Sequence, residues 1–144
     1  MVSIKRSALV PYTAEKMFKL VGDIASYPSF LPWCKDTQIH EDLGDQVRAS
    51  IEMSKAGIHK SFTTQNLAHG MELIEMSLVD GPFKHLKGFW RFDALSAEAC
   101  KVSLDIEFEF SNRLLSSTVG PVFQGICNTL VEAFVQRARE VYGH

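Results

Sequence analysis

The sequence predicts an α+β domain in which a curved antiparallel sheet of about six or seven strands wraps one long C-terminal helix. Three observations carry that reading. Between Cys34 and Phe110 apolar and polar residues alternate with the period of a strand. After Asn112 the period returns to that of a helix. Near the start, one strand-like stretch is followed by two short helical ones.

Taken in order, residues 2 to 10 read as a first strand ended by Pro11. Thr13 is a good N-cap, and Glu15 places a negative charge in the first helical turn, where the helix dipole favours it. Ala14, Met17, Phe18 and Val21 form one apolar stripe, and Gly22 stops the helix. Asp23 caps a second, shorter helix expected to end by Tyr27, because a residue before proline is pushed toward extended backbone. The segment "SYPSFLPWC" (26 to 34) follows as a loop.

Val47, Ala49, Ile51 and Met53 then alternate with Arg48, Ser50 and Glu52. "SKAG" (54 to 57) reads as a hairpin turn with Gly57 at positive φ. Further strands are expected over about 58 to 67, 71 to 79 and 83 to 92, with "DGP" (80 to 82) breaking the chain. The clearest strand is the last, where Val102, Leu104, Ile106, Phe108 and Phe110 alternate with polar partners. Val119, Phe123, Ile126, Leu130, Ala133, Phe134, Arg137 and Val141 trace one face of the final helix, which Pro121 kinks or begins.

Composition frames this as one globular domain: 144 residues, 46% hydrophobic, 22% charged and a net charge of -2. That charge gives no overall attraction to nucleic acid, and DNA is not expected as a partner. No apolar run spans a bilayer, although peripheral contact with a membrane is compatible with the chain. Cys34, Cys100 and Cys127 are widely spaced and odd in number, which fits reduced thiols and a cytoplasmic location.

A helix covers a strip roughly 10 Å wide, whereas six or seven strands at about 4.8 Å each span about 30 Å. The sheet must therefore curl around the helix, and either side chains fill the hollow or a cavity is left. "YPSFLPW" either rims that cavity with aromatic side chains or plugs it as core. Pro28 and Pro32 hold the loop in shape at low entropic cost.

The stretches "ALVPYTAEKMFKLVGDIASYPSFLPWC", "SLVDGPFKHLKGFWRF", "IEFEFSNRLL" and "VEAFVQRAREVY" resemble the coenzyme Q-binding family of START-like proteins, over almost the whole chain. The resemblance implies the helix-grip, or Bet v 1-like, fold and two kinds of function. One is binding a polyisoprenoid quinone such as ubiquinone, in support of respiration. The other, in a toxin branch of the family, is binding the large ribosomal subunit so that the subunits fail to join. Some relatives carry the older label of polyketide cyclase or dehydrase, so an enzyme using the same cavity is the alternative reading.

The residues themselves show no catalytic constellation. His40, His59, His69, His85 and His144 have no metal-ligand spacing, although His40 and His59 could meet on neighbouring strands with Cys34 nearby. Glu107 and Glu109 fall on the wet face of the last strand, and Lys87 is expected opposite Glu107 as a cross-strand ion pair. No cofactor is required.

Binding chemistry is better supplied. A quinone offers an apolar tail and a ring bearing only acceptors, so its pocket needs apolar walls and a few donors. Candidate ligand-binding residues are Tyr27, Phe30, Leu31 and Trp33 from the loop, with Phe62, Met76, Leu78, Trp90, Phe108, Phe123, Ile126, Leu130 and Phe134. Trp33 and Trp90 each bring an indole N–H and a stacking face, and Met76 suits an irregular guest. Gly88, inside a strand, marks a bulge, a close approach or barrel-like curvature. For a ribosomal surface, Lys84, Lys87 and Arg91, joined by Lys55 and Lys60, are the candidate basic patch.

Overall fold

The computed structural model describes residues 1–143, so His144 lies outside the described residues. The chain runs β1 (Val2–Val10), α1 (Ala14–Gly22), a 3₁₀ helix (Ile24–Ser29), β2 (Cys34–Asp42), β3 (Gln46–Lys55), β4 (Ile58–His69), β5 (Leu73–Asp80), β6 (Phe83–Ala94), β7 (Cys100–Phe110), α2 (Arg113–Thr118) and α3 (Gly120–Tyr142). The seven strands form one sheet in the order β1-β7-β6-β5-β4-β3-β2, antiparallel throughout. The expected sheet gripping a long terminal helix is the observed architecture.

Period-two alternation sets which face is dry. In β7 the residues Cys100, Val102, Leu104, Ile106, Phe108 and Phe110 are all buried. They face α3, which buries Phe123, Ile126, Cys127, Val131, Phe134 and Ala138. The buried stripe of α3 is thus rotated slightly from the sequence expectation: Val131 and Ala138 belong to it, while Val141 is exposed. Pro121 sits in the first turn, where its missing N–H costs nothing, so it begins the helix and does not kink it.

The start of the chain also departs in one respect. Thr13 caps α1 as expected, its Oγ1 accepting from the Lys16 N–H at 3.1 Å. The second helix does not stop at Tyr27; it continues as 3₁₀ through Pro28 to Ser29. Short 3₁₀ pieces need few backbone bonds and tolerate the absent donor. The Tyr27 hydroxyl donates to the Val21 carbonyl and ties this turn back onto α1.

The β3–β4 hairpin turns on Ala56 and Gly57, at φ 53° and 80°, the geometry that matches the twist of the flanking strands. Turns alternate between the two ends of the sheet. The β2–β3, β4–β5 and β6–β7 turns lie at one end, with Val10 of β1 opposite Cys100 there. The β3–β4 and β5–β6 turns lie at the other.

Candidate functional site

Rings pack the interior in two groups. Phe62, Phe83, Phe108, Phe110 and Phe123 cluster around the N-terminal end of α3, with Phe83 and Phe110 stacked at 4.7 Å between centroids. Tyr27, Phe30 and Trp90 gather edge-on around Phe134 at 5.3–5.5 Å. Between them the sheet and α3 leave a partly enclosed chamber of about 80 Å³. One water needs roughly 10–15 Å³, so the interior is not solidly filled.

The chamber lining includes no charged side chain. Phe62, Met76, Trp90, Phe123 and Ile126 line it, as do Leu130, Phe134, Tyr27 and Trp33. Sequence reasoning missed Ile24, Ile51, Leu86, Leu104 and Ile106 as lining residues, although alternation in β3 and β7 was signal enough to find Ile51, Leu104 and Ile106. Also missed was the polar pair on β4: Thr64, itself buried, donates to Asn66 Oδ1 at 3.1 Å. Nothing in the local pattern separates these two from wet-face residues until β4 is given its register.

A second hollow of about 270 Å³ opens to solvent between α1, the 3₁₀ helix and the β2–β3 turn. It shares Ile24, Tyr27, Asn66, Met76 and Trp90 with the chamber, and these five form a neck. Around its outer edge stand Lys19, Asp23, Asp42 and Asp45. The entrance is therefore not rimmed by the aromatic loop as a whole. Phe30 and Leu31 do not line the chamber: Leu31 is fully buried and Phe30 packs on Tyr27 and Phe134, so both act as plug. Trp33 is held beside the β3–β4 turn, its carbonyl accepting from the Ser54 N–H at 2.8 Å. It separates the chamber from an outer groove edged by Lys55 and Glu132.

Two more candidates fall outside the lining. Phe108 sits behind Phe123, 4.8 Å between centroids, in the lower aromatic group. Leu78 packs against the core from β5, lying on the β5 stretch where a register shift interrupts pairing with β4. Gly88 makes no bulge; its pairing with Met76 on one side and Ile106 on the other is regular. Instead it admits a close approach, because a Cβ placed there would lie 2.6 Å from the Met76 methyl.

Titratable groups near the chamber are held neutral. Burial pushes the Tyr27 phenol well up from its ordinary range. Burial raises the Cys127 thiol to about 12, and burial reinforced by Asp36 raises Cys34 to about 11. Cys34, Cys100 and Cys127 are all unpaired and buried. His40 bonds Ser50 at 2.6 Å and His59 bonds Ser54 at 3.0 Å, so each histidine has its own serine and they do not share a site. Among the described residues no group of three or more His, Cys, Asp or Glu is arranged to hold a metal.

The basic candidates do not form one free patch. Lys87 is opposite Glu107 in register, yet its ammonium reaches across to Glu75 on β5 at 2.6 Å. That bond, then the one from His69, draws the Glu75 carboxyl below its usual range. Glu107 pairs with His85 at 3.1 Å and Lys84 with Glu109 at 3.4 Å. Arg91 lies over the Phe89 ring at 5.3 Å. Lys55 and Lys60 stand apart on the β3–β4 hairpin.

A family model described as polyketide cyclase / dehydrase and lipid transport matches residues 10–135. The chain belongs to that family. The chain is similar to the ribosome association toxin RatA of Escherichia coli K12, 49% identical over 142 residues, covering 99% of this chain and 90% of that protein. A more distant relative is a mitochondrial coenzyme Q-binding protein COQ10 homolog B from Xenopus laevis, 25% identical over 99% of this chain and 60% of the other. Among solved structures the Zhui aromatase/cyclase from Streptomyces sp. R1128 superposes with a TM-score of 0.86 over 97% of this chain and 95% of that one. At 16% identity that likeness shows the family fold alone. No helix among the described residues is long and apolar enough to cross a membrane.

Proposed function

We propose that this protein binds, without catalysis, an uncharged apolar ligand with a flat acceptor-bearing head, ubiquinone or a related lipid. One observation carries the reading: a partly enclosed chamber lined without charge, with a neck to which Asn66 and Trp90 contribute. The neck brings side chains able to donate N–H bonds to the carbonyl oxygens of a ring, and the 80 Å³ chamber together with the 270 Å³ hollow beyond the neck takes up the ring and the first part of a tail. The mouth carries the rest of the tail toward solvent. A cyclase needs an ionisable acid or base at the reacting carbon. The chamber offers Tyr27 and Cys127, both held protonated, with the Tyr27 hydroxyl already spent on the Val21 carbonyl.

The chain has two tryptophans, Trp33 and Trp90, and both line the chamber. A short-tailed ubiquinone entering it quenches intrinsic fluorescence saturably and raises the melting temperature, as any ligand selective for the native state does. Absence of both effects, with no quinone or acyl lipid in an organic extract of natively purified protein, sinks the reading.

A second role, association with the large ribosomal subunit, is favoured by the near full-length similarity to a protein named ribosome association toxin. With Lys84 and Lys87 already paired to carboxylates, contact rests on shape and hydrogen bonding more than on phosphate neutralisation. Co-sedimentation with separated subunits across a salt series tests it: binding with a shallow salt slope is expected, and no co-sedimentation at low salt rejects it.

A further inference from the structure

Met1, Val79 and Leu114 are exposed at the end away from the mouth, but the exposed large apolar side chains that sit on hairpin turns are all at the mouth end. Each hairpin turn at the mouth end carries one: Leu43 between β2 and β3 at 63% exposed, Met71 between β4 and β5 at 45%, and Leu95 between β6 and β7 at 56%. The hairpin turns at the opposite end, Ala56-Gly57 and Gly81-Pro82, carry none. Backbone bonds place the three turns side by side along one rim. The Ala68 N–H reaches the Asp45 carbonyl at 2.7 Å, which joins the first turn to the second. The Phe92 N–H reaches the Glu72 carbonyl at 2.9 Å, which joins the second to the strand leading into the third. Leu43 stands between Asp42 and Gly44, both of which line the mouth.

We propose that this rim docks on a lipid surface with zwitterionic headgroups, Leu43, Met71 and Leu95 entering the interface and the mouth facing the bilayer. The charge of the turns selects the partner. With the strand end before the first of them they hold Asp42, Asp45, Glu72 and Glu98 and no lysine or arginine, and at the mouth's edge Lys19 is outnumbered by Asp23, Asp42 and Asp45. Such a rim repels RNA phosphates and anionic lipid alike. It complements a headgroup that carries its ammonium outermost, as phosphatidylcholine and phosphatidylethanolamine do. Apolar side chains at turn tips gain by leaving water at the headgroup boundary without reordering the fold. The inference rests on the ligand reading in one respect, that an insoluble guest exchanges through the mouth directly with the membrane that dissolves it.

Flotation of the full chain with vesicles tests the proposal. Binding to pure phosphatidylcholine is expected, weakened only slightly by salt because apolar insertion supplies most of it, and not increased by phosphatidylglycerol. The variant L43D/M71D/L95D loses binding at least tenfold while keeping the native circular dichroism and melting temperature. Leu114→Asp, at a side chain more exposed than any of the three but on α2 at the other end, binds as the parent does. Absence of flotation, retention of it in the triple variant, or dependence on anionic lipid overturns the proposal. So does a triple variant that loses subunit co-sedimentation and keeps vesicle binding, since the rim then belongs to the ribosome. Quinone quenching in lipid-free buffer separates the two readings. Quenching without flotation ends the docking proposal alone, and flotation with no quenching, no thermal stabilisation and no lipid in the extract ends the ligand reading alone.

Discussion

Gly88 and Met76 illustrate how far single residues can be read. A glycine inside a strand announced that something unusual happens there, but not whether the strand bulges or another group approaches. Pairing resolves it, because Met76 lies directly across from Gly88 and its methyl occupies the space a Cβ would take. The Gly88→Ala side chain has no backbone objection, since φ there is not positive. It displaces the flexible Met76 methyl, which has the adjoining chamber to move into. Overpacking and the relief of a strand glycine roughly offset each other, so stability stays within about 1 kcal/mol of the parent. Affinity for a quinone falls, as fluorescence titration reads directly. Unchanged affinity would show that Met76 does not set the free volume. By contrast, the roles of Phe30 and Leu31 were undecidable from the loop itself, because an apolar side chain lines a cavity or plugs it according to neighbours contributed by α3.

At the scale of elements, local signals did most of the work. Thr13 sits where its oxygen meets the first free N–H groups of α1, and it does so in the structure. Thr13→Ala removes that bond and costs about 1 kcal/mol, measurable as a lower urea midpoint with unchanged slope. Because α1 forms one wall of the mouth through Phe18, Val21 and Gly22, the same variant loosens the entrance and speeds ligand exchange in stopped flow. An unchanged midpoint would mean the cap is not used in solution. Alternation in β7 was legible for the same reason: one face of an antiparallel strand is wet, and its period of two is printed in the sequence. The 3₁₀ turn was harder, since its continuation past Tyr27 depends on the hydroxyl reaching Val21 and on packing against Phe134.

Across the whole molecule the buried thiols make a prediction about pH. A thiol whose folded pKa lies above its unfolded value of about 9 contributes stability that is complete below pH 9. That contribution is lost as pH rises toward the folded value, about 12 for Cys127. Between pH 8 and 10.5 the protein therefore loses on the order of 1–2 kcal/mol through Cys127 alone. Cys127→Ala flattens that slope while lowering stability at neutral pH through lost packing. Equal pH slopes in parent and variant urea melts would contradict the assignment. Native protein should likewise leave the thiol reagent DTNB unreacted at pH 8 until denaturant is added, because thiolate is the reactive form.

Residue order alone determined the succession of elements except α2, which it did not separate from the final helix, together with the dry face of each well-alternating strand and the cap of α1, because these depend on periods and bonds spanning a few neighbours. It also determined that a broad sheet must bend about one narrow helix, since widths follow from strand number. Only the assembled chain decided that the hollow stays open, that its mouth lies by the β2–β3 turn, and that Lys87 turns to Glu75 instead of Glu107. Those outcomes depend on which side chains distant in sequence arrive at the same place, and on how completely their volumes fill it.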